Sequence, residues 1–198
     1  MPIITIDGNI GSGKSTILKE LQSKYDQIID LEPIESWKPY LDNIYLHDKF
    51  YYELHKKIWE DRGLLQSRSK NIIFVERSGK FTRNTFIEIY KDKFTNQEYN
   101  ILSHLYDSSD EKNNKLITDP VLYIYLKTDP NLCLKRIKER NRDNESNINL
   151  SLINKLHIKH EECANNLILQ GYQVLNIDGE KSIIDICKSI FEYVYGQI

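Results

Sequence analysis

A surplus of charge of either sign is the first thing this chain lacks. Its 27 Lys and Arg nearly balance 29 Asp and Glu, for a formal net charge of −2. No global basic field exists to hold a polyanion, so composition gives no argument for nucleic acid as a partner. Long apolar runs are also missing: no stretch approaches the ~20 residues that span a bilayer. Cysteine is scarce. Cys133, Cys163 and Cys187 are far apart and odd in number, which fits neither a disulfide framework nor a zinc site and suggests a reducing compartment. Each reads as a small buried apolar residue. There is no internal repeat and no linker, so residues 1–198 read as one domain, long enough for a sizeable core. The N-terminus reads as a strand and not as a signal peptide, so a cytoplasmic location without membrane attachment is expected.

What is present starts at Gly8-Asn9-Ile10-Gly11-Ser12-Gly13-Lys14-Ser15-Thr16. An apolar run, Ile3-Ile4-Thr5-Ile6, precedes it and a helical pattern from Ile17 follows. Strand, glycine loop and helix with the spacing G-x-x-x-x-G-K-[ST] make a phosphate cradle. The glycines allow backbone N–H groups to approach an anion, and the helix N-terminus points its positive end at the same place. Lys14 adds a full charge for the β and γ phosphates, and Ser15 offers a hydroxyl to Mg²⁺. The loop binds a nucleoside triphosphate; what accepts the phosphate is decided elsewhere in the chain.

Further strands are expected at 27–31, 71–75, 121–126 and 173–177, each followed by helical patterns. One helix is expected from about Asp42 to Arg68, others over Phe81–Lys91, Asn96–Ser108, from Pro130, over Leu150–Gln170 up to Gly171, and from Ser182. Ser108 to Lys115 reads as a polar loop. Strand alternating with helix predicts an α/β fold: five parallel strands with helices on both faces.

Transfer of phosphate to a hydroxyl needs a metal, a base, cations and a pocket that excludes water. Glu32, held extended by Pro33, and Glu76 both end strands, where such sheets place their chemistry. One can take the acceptor's proton while the other helps hold Mg²⁺. Arg77 is placed to orient Glu32. Arg136 and Arg140 share a helix face at i, i+4 and Arg142 follows, an arrangement suited to a cationic lid over about 136–149. Trp37, Tyr45, Phe81 and Phe86 offer walls for a planar base, although aromatic stripes are more often plain core.

These motifs resemble the deoxynucleoside kinases, the family of deoxycytidine, deoxyguanosine, deoxyadenosine and mitochondrial-type thymidine kinases. The resemblance is collinear over nearly the whole chain: Asp7 and the loop, Glu32-Pro33 with Trp37, Glu76-Arg77-Ser78, Arg136-x-x-x-Arg140-x-Arg142-x-x-Glu145, and Leu156 to Glu161. It implies a P-loop kinase fold with an arginine-rich lid, and ATP and Mg²⁺ as cofactors. Glu32 is then the general base for the 5′-hydroxyl, Arg77 its partner, and Glu76 the acid associated with Mg²⁺. Arg136, Arg140 and Arg142 are the lid arginines. Glu145 bonds the sugar 3′-hydroxyl together with Tyr45, or with Tyr40 if the alignment slides. Trp37 and Phe86 wall the base, and Asp178 belongs to an adenine-side segment. A homodimer through helices near the Glu-Arg-Ser motif is implied by analogy.

Two positions depart from the family. His55, followed seven residues on by Arg62, stands where the family reads the base with Gln; Tyr51 is the substitute if the register slips. A neutral imidazole offers one donor and one acceptor, with a different reach from an amide. Thr82 stands where several members carry an acid that pairs with an arginine resembling Arg62, which leans toward a pyrimidine or broad base preference. The competing enzyme is a nucleoside monophosphate kinase of thymidylate type, which needs cations for the acceptor's phosphate and no base at Glu32. A non-catalytic nucleotide switch needs no acceptor pocket at all.

Overall fold

The computed structural model describes residues 2–62, 72–107 and 120–196, the side chains of Arg62 and Asp107 excepted. The expected helical stretch after Arg62 and the polar loop at 108–115 lie outside the described residues. Five strands, β1 (Ile3–Asp7), β2 (Ile28–Asp30), β3 (Ile73–Glu76), β4 (Leu122–Lys127) and β5 (Val174–Asp178), form one parallel sheet in the order β2-β3-β1-β4-β5. β1 is central, pairing Ile6 with Glu76 of β3 on one side and with Ile124 of β4 on the other. All five of its residues are buried, which is why it reads as a continuous apolar run rather than an alternating one. The chain builds β2 and β3 on one side of β1 and then crosses over to build β4 and β5 on the other, so a crevice opens at the carboxyl ends of the central strands.

Helix α1 (Lys14–Tyr25) begins inside the glycine motif, three residues before the apolar pattern suggests. It packs with α8 (Ile183–Tyr195) on one face of the sheet, where Leu18, Leu21, Phe74, Ile124 and Ile190 are fully buried. On the other face, α7 (Leu150–Leu169) brings Cys163, Ala164 and Leu167 against Phe81, Tyr123 and Tyr125. α6 (Pro130–Arg140) starts with Pro130 in its first turn, and the Asp129 side chain accepts the N–H groups of Asn131 and Leu132. All three cysteines are free and buried. Among the described residues, no helix is long and apolar enough to cross a membrane.

The single helix expected from about Asp42 is two helices. α2 (Ile34–His47) starts directly after Pro33, and α3 (Tyr51–Arg62) follows a break. Pro39 lies within α2 on its exposed side, where water can satisfy the carbonyl it leaves unpaired. The break falls at Asp48 and Phe50, both left-handed at φ 56° and 62°. The Asp48 carboxylate fixes it by accepting the Tyr51 hydroxyl and the Lys93 ammonium. The expected helix over Phe81–Lys91 is also divided: α4 (Gly79–Thr82), capped by the Ser78 hydroxyl, widens into a π turn over Arg83–Ile87. Such turns often sit beside functional sites. α5 (Asn96–Asp107) completes the helices.

Candidate active site

The donor side is made of backbone. The loop after β1 needs φ 78° at Gly11, and a Cβ there would meet the Cys133 carbonyl oxygen at 2.4 Å. Asn9 ties the loop to α7, its amide donating to the Ile153 carbonyl at 2.9 Å. Lys14 is 5% exposed, and its ammonium donates to the Asn9 carbonyl at 3.0 Å. Burial, with the Arg77 charge nearby, lowers its pKa to about 8. A polyanion arriving in the loop reverses that penalty. The Ser15 hydroxyl donates to Glu76 Oε1 at 2.7 Å, and the Glu32 backbone N–H donates to Glu76 Oε2 at 3.3 Å. One hydroxyl and one carboxylate side by side suit Mg²⁺, which takes few protein ligands and completes its shell with phosphate and water.

Arg136 holds the far end of the loop. Its guanidinium donates to the carbonyls of Ser12 at 3.0 Å and Gly179 at 3.3 Å. Asp178 ends β5 beside that contact, with its carboxylate accepting the Glu180 N–H at 2.9 Å. Ser12 is buried and Thr16 exposed at the start of α1.

The acceptor side is made of side chains around a cavity of about 110 Å³. Lys14, Glu32, Trp37, Tyr45, His55, Arg77, Thr82, Phe86, Arg140, Arg142 and Glu145 all line it, as does Ile10 of the loop. Arg77 adopts a left-handed backbone, φ 64°, immediately after β3, and its Nε donates to Glu32 Oε1 at 2.8 Å. Its guanidinium also lies 4.5 Å over the Phe86 ring. The pair is almost shielded from water, with side-chain exposures of 8% and 13%. Across the cavity, Glu145 accepts two hydrogen bonds from Arg140, at 2.7 and 2.6 Å, and a longer one from Arg142 at 3.4 Å. Tyr45 stays a neutral phenol because burial drives its pKa up.

At the apolar end, Trp37 is 2% exposed and spends its indole N–H on Asp61 at 2.8 Å. Thr82 gives its hydroxyl to the Ser78 carbonyl at 3.0 Å. His55 is 3% exposed, and burial, helped by the Arg77 charge, lowers its pKa to about 3, so the ring is neutral.

Three of the aromatic residues expected at the pocket, Phe81, Tyr51 and Tyr40, are not among the described residues lining the cavity. Phe81 is wholly buried and stacks on Tyr125, 5.8 Å between centroids, as core. Tyr51 bonds Asp48 and packs against Tyr90, so His55 and not Tyr51 is the residue at the cavity wall. Tyr40 packs in the α2–α3 cluster, leaving Tyr45 at the wall. The Arg62 side chain lies outside the described residues. Ile34, Leu41, Ile44, Ile58 and Tyr90 also line the cavity, and the motifs do not point to them. The spacing 37, 41, 44 and 51, 54, 58 is the apolar periodicity that would have found most of them.

Residues 4–195 match the family described as "Deoxynucleoside kinase". A probable deoxycytidine kinase of fowlpox virus is 28% identical over 209 residues, covering 96% of this chain and 87% of its own length. Human deoxycytidine kinase is 27% identical over 234 residues, covering 96% and 88%. A solved structure of deoxyadenosine kinase from M. mycoides with bound dCTP shares the fold with a TM-score of 0.82 at 24% identity, over 99% of this chain and 100% of that one. With a family match that runs through every strand and both sides of the cleft, the chain belongs to the deoxynucleoside kinases, ATP-dependent phosphotransferases.

Proposed function

We propose that the chain moves the γ-phosphoryl group of ATP to the 5′-hydroxyl of a deoxynucleoside, with Glu32 as the general base. The observation that carries this is the Glu32–Arg77 pair, 2.8 Å apart and lining the same cavity as Lys14. The 5′-oxygen attacks phosphorus in line, its proton passes to a Glu32 oxygen, and the bond to the ADP oxygen breaks. Arg77 aims Glu32 through their hydrogen bond. Lys14, Arg140 and Arg142 offset charge on the transferring group, while Arg136 ties the loop to the adenine-side turn at Asp178–Gly179. Ser15 and Glu76 would hold Mg²⁺, which supplies charge neutralisation on the β and γ phosphates. Glu145 and Tyr45 take the sugar 3′-hydroxyl. Trp37 and Phe86 wall the base, whose edge meets His55, with Thr82 leaving room for a pyrimidine or a broad range of bases. A homodimer through α4 and α5 follows by analogy, and exposed Ile101 on α5 is in keeping with it.

A monophosphate acceptor is disfavoured because Arg77, the arginine beside the acceptor oxygen in this reading, already has a carboxylate partner in Glu32. The test is ADP release with each deoxynucleoside and each deoxynucleoside monophosphate. Turnover is expected with nucleosides and not with monophosphates; the reverse pattern removes Glu32 from the chemistry and makes the chain a monophosphate kinase.

A further inference from the structure

On the reading that the cavity takes a nucleoside base, His55 determines more than position. Its backbone carbonyl accepts the Tyr106 hydroxyl at 2.9 Å, which anchors α3 but leaves the ring unconstrained. Nδ1 is buried without a hydrogen-bond partner, and no described residue bonds Nε2. The ring's nearest aromatic neighbour is the Phe94 ring, centroids 6.0 Å apart, which offers no hydrogen bond to either nitrogen. A buried polar ring with no protein partner is costly unless a ligand supplies one. The second consequence concerns the proton. The tautomer of a neutral histidine is ordinarily set by the hydrogen bond its second nitrogen makes. Among the described residues no such bond is made, so they do not choose which nitrogen carries the hydrogen.

We propose that His55 reads the base by exchanging tautomers. The nitrogen turned to the base accepts from the imino N–H of a thymine-type edge and donates to the bare ring nitrogen of a cytosine-type edge. The ring keeps one proton throughout, and only its seat changes. An amide at this place presents its donor and acceptor in a fixed order and must rotate to reverse them. The imidazole reverses them without moving a heavy atom. Because its two nitrogens diverge, only one reaches the base edge, so selection rests on a single contact that either polarity satisfies. Acceptance of both pyrimidine types follows from the absent second bond.

The test is nitrogen NMR of the full chain labelled with ¹⁵N-histidine, free, with deoxycytidine and with thymidine. The chain has five histidines, and the His55 signals are assigned by their loss in His55→Gln. The protonated nitrogen is expected to differ between the two complexes. The kcat/KM values for the two nucleosides are expected to lie within about tenfold of each other, and His55→Phe should lower both by roughly tenfold to a hundredfold, with His55→Gln recovering part of the loss. One tautomer in both complexes overturns the proposal, as does binding of only one of the two nucleosides. The spectra need no turnover, so the two readings fail separately. Tautomer exchange without ADP release keeps this inference and removes the kinase reading, whereas turnover with a fixed tautomer does the reverse. If neither nucleoside binds, both fall.

Discussion

On the donor side of the cleft, the consecutive residues Gly8–Thr16 supply the whole cradle, and most of what they offer is backbone. On the acceptor side, the polar groups come from the ends of β2 and β3, from α2 and α3, and from the turn after α6. A cradle of backbone N–H groups tolerates little change in geometry but asks for little chemistry. A cavity of side chains can change its substrate one residue at a time. The first side is therefore shared by every phosphate loop, and the second is where the resemblance expects this chain to depart from the family, at His55 and Thr82. The two sides meet at Glu76, which accepts from Ser15 of the donor loop and from the Glu32 backbone of the acceptor wall.

The strongest way to break that division is Glu32→Gln. Removing the base is expected to lower kcat by ~10²–10⁴ while leaving ATP affinity nearly unchanged. The amide still reaches Arg77 but cannot take a proton. Turnover and ATP binding, measured on the same preparation, check it. A kcat that stays put takes Glu32 out of the reaction, and a lost ATP affinity shows that the two sides are not separable.

This division also explains which parts were legible in the sequence. The phosphate loop, the five strands and the pair Glu32 and Arg77 depend on local pattern: glycine spacing, apolar runs and strand ends. The break between α2 and α3 does not, because Asp48 and Phe50 take a left-handed backbone without being glycine, and one of the two bonds that hold the Asp48 carboxylate comes from Lys93 on a distant segment. Trp37 was visible as an aromatic, but its bond to Asp61, 24 positions on, was not. Likewise the arginines at 136, 140 and 142 stand out by their spacing, whereas their partners do not: Arg140 meets Glu145, and Arg136 meets the carbonyl of Gly179, 43 positions away. Sequence pattern identifies a group's chemistry; the fold decides which partner it spends that chemistry on.

A second prediction sharpens the contrast by pH. Lys14 is the donor side's charge, and in the ligand-free enzyme its pKa is lowered to about 8 by burial and then by Arg77. A lowered lysine pKa means the cation is lost on the alkaline side. KM for ATP should therefore rise above about pH 8, approaching tenfold per pH unit, while kcat at saturating ATP holds further because bound phosphate favours the charged ammonium. KM for the nucleoside, which the proposed function places on Glu145, Tyr45, His55 and apolar walls rather than on the Lys14 ammonium, should change far less. Both constants measured from about pH 7 to pH 9.5 check it, and equal drift in the two breaks the comparison.

The smallest effect is on stability, and it isolates the acceptor side. His55 folds as a neutral ring with a pKa near 3, against an ordinary value of 6.5, because burial and then Arg77 disfavour its cation. The unfolded chain binds a proton below about pH 6.5 and the folded chain does not, so this residue's share of stability is intact above that pH and lost as pH falls through the window toward 3. Between about pH 7.5 and pH 5.5 the loss amounts to about 1.4 kcal/mol. His160 is also held neutral by burial and contributes in the same direction, so the total acid sensitivity of the wild type does not identify His55. The difference between wild type and His55→Gln does, since a glutamine has no proton to gain and His160 is common to both. Denaturant unfolding of the pair at the two pH values should show the variant gaining about 1.4 kcal/mol relative to wild type on acidification. A pH-independent difference would mean that His55 takes up its proton in the folded cavity, and an acceptor wall that charges so readily is not the neutral surface a base edge requires.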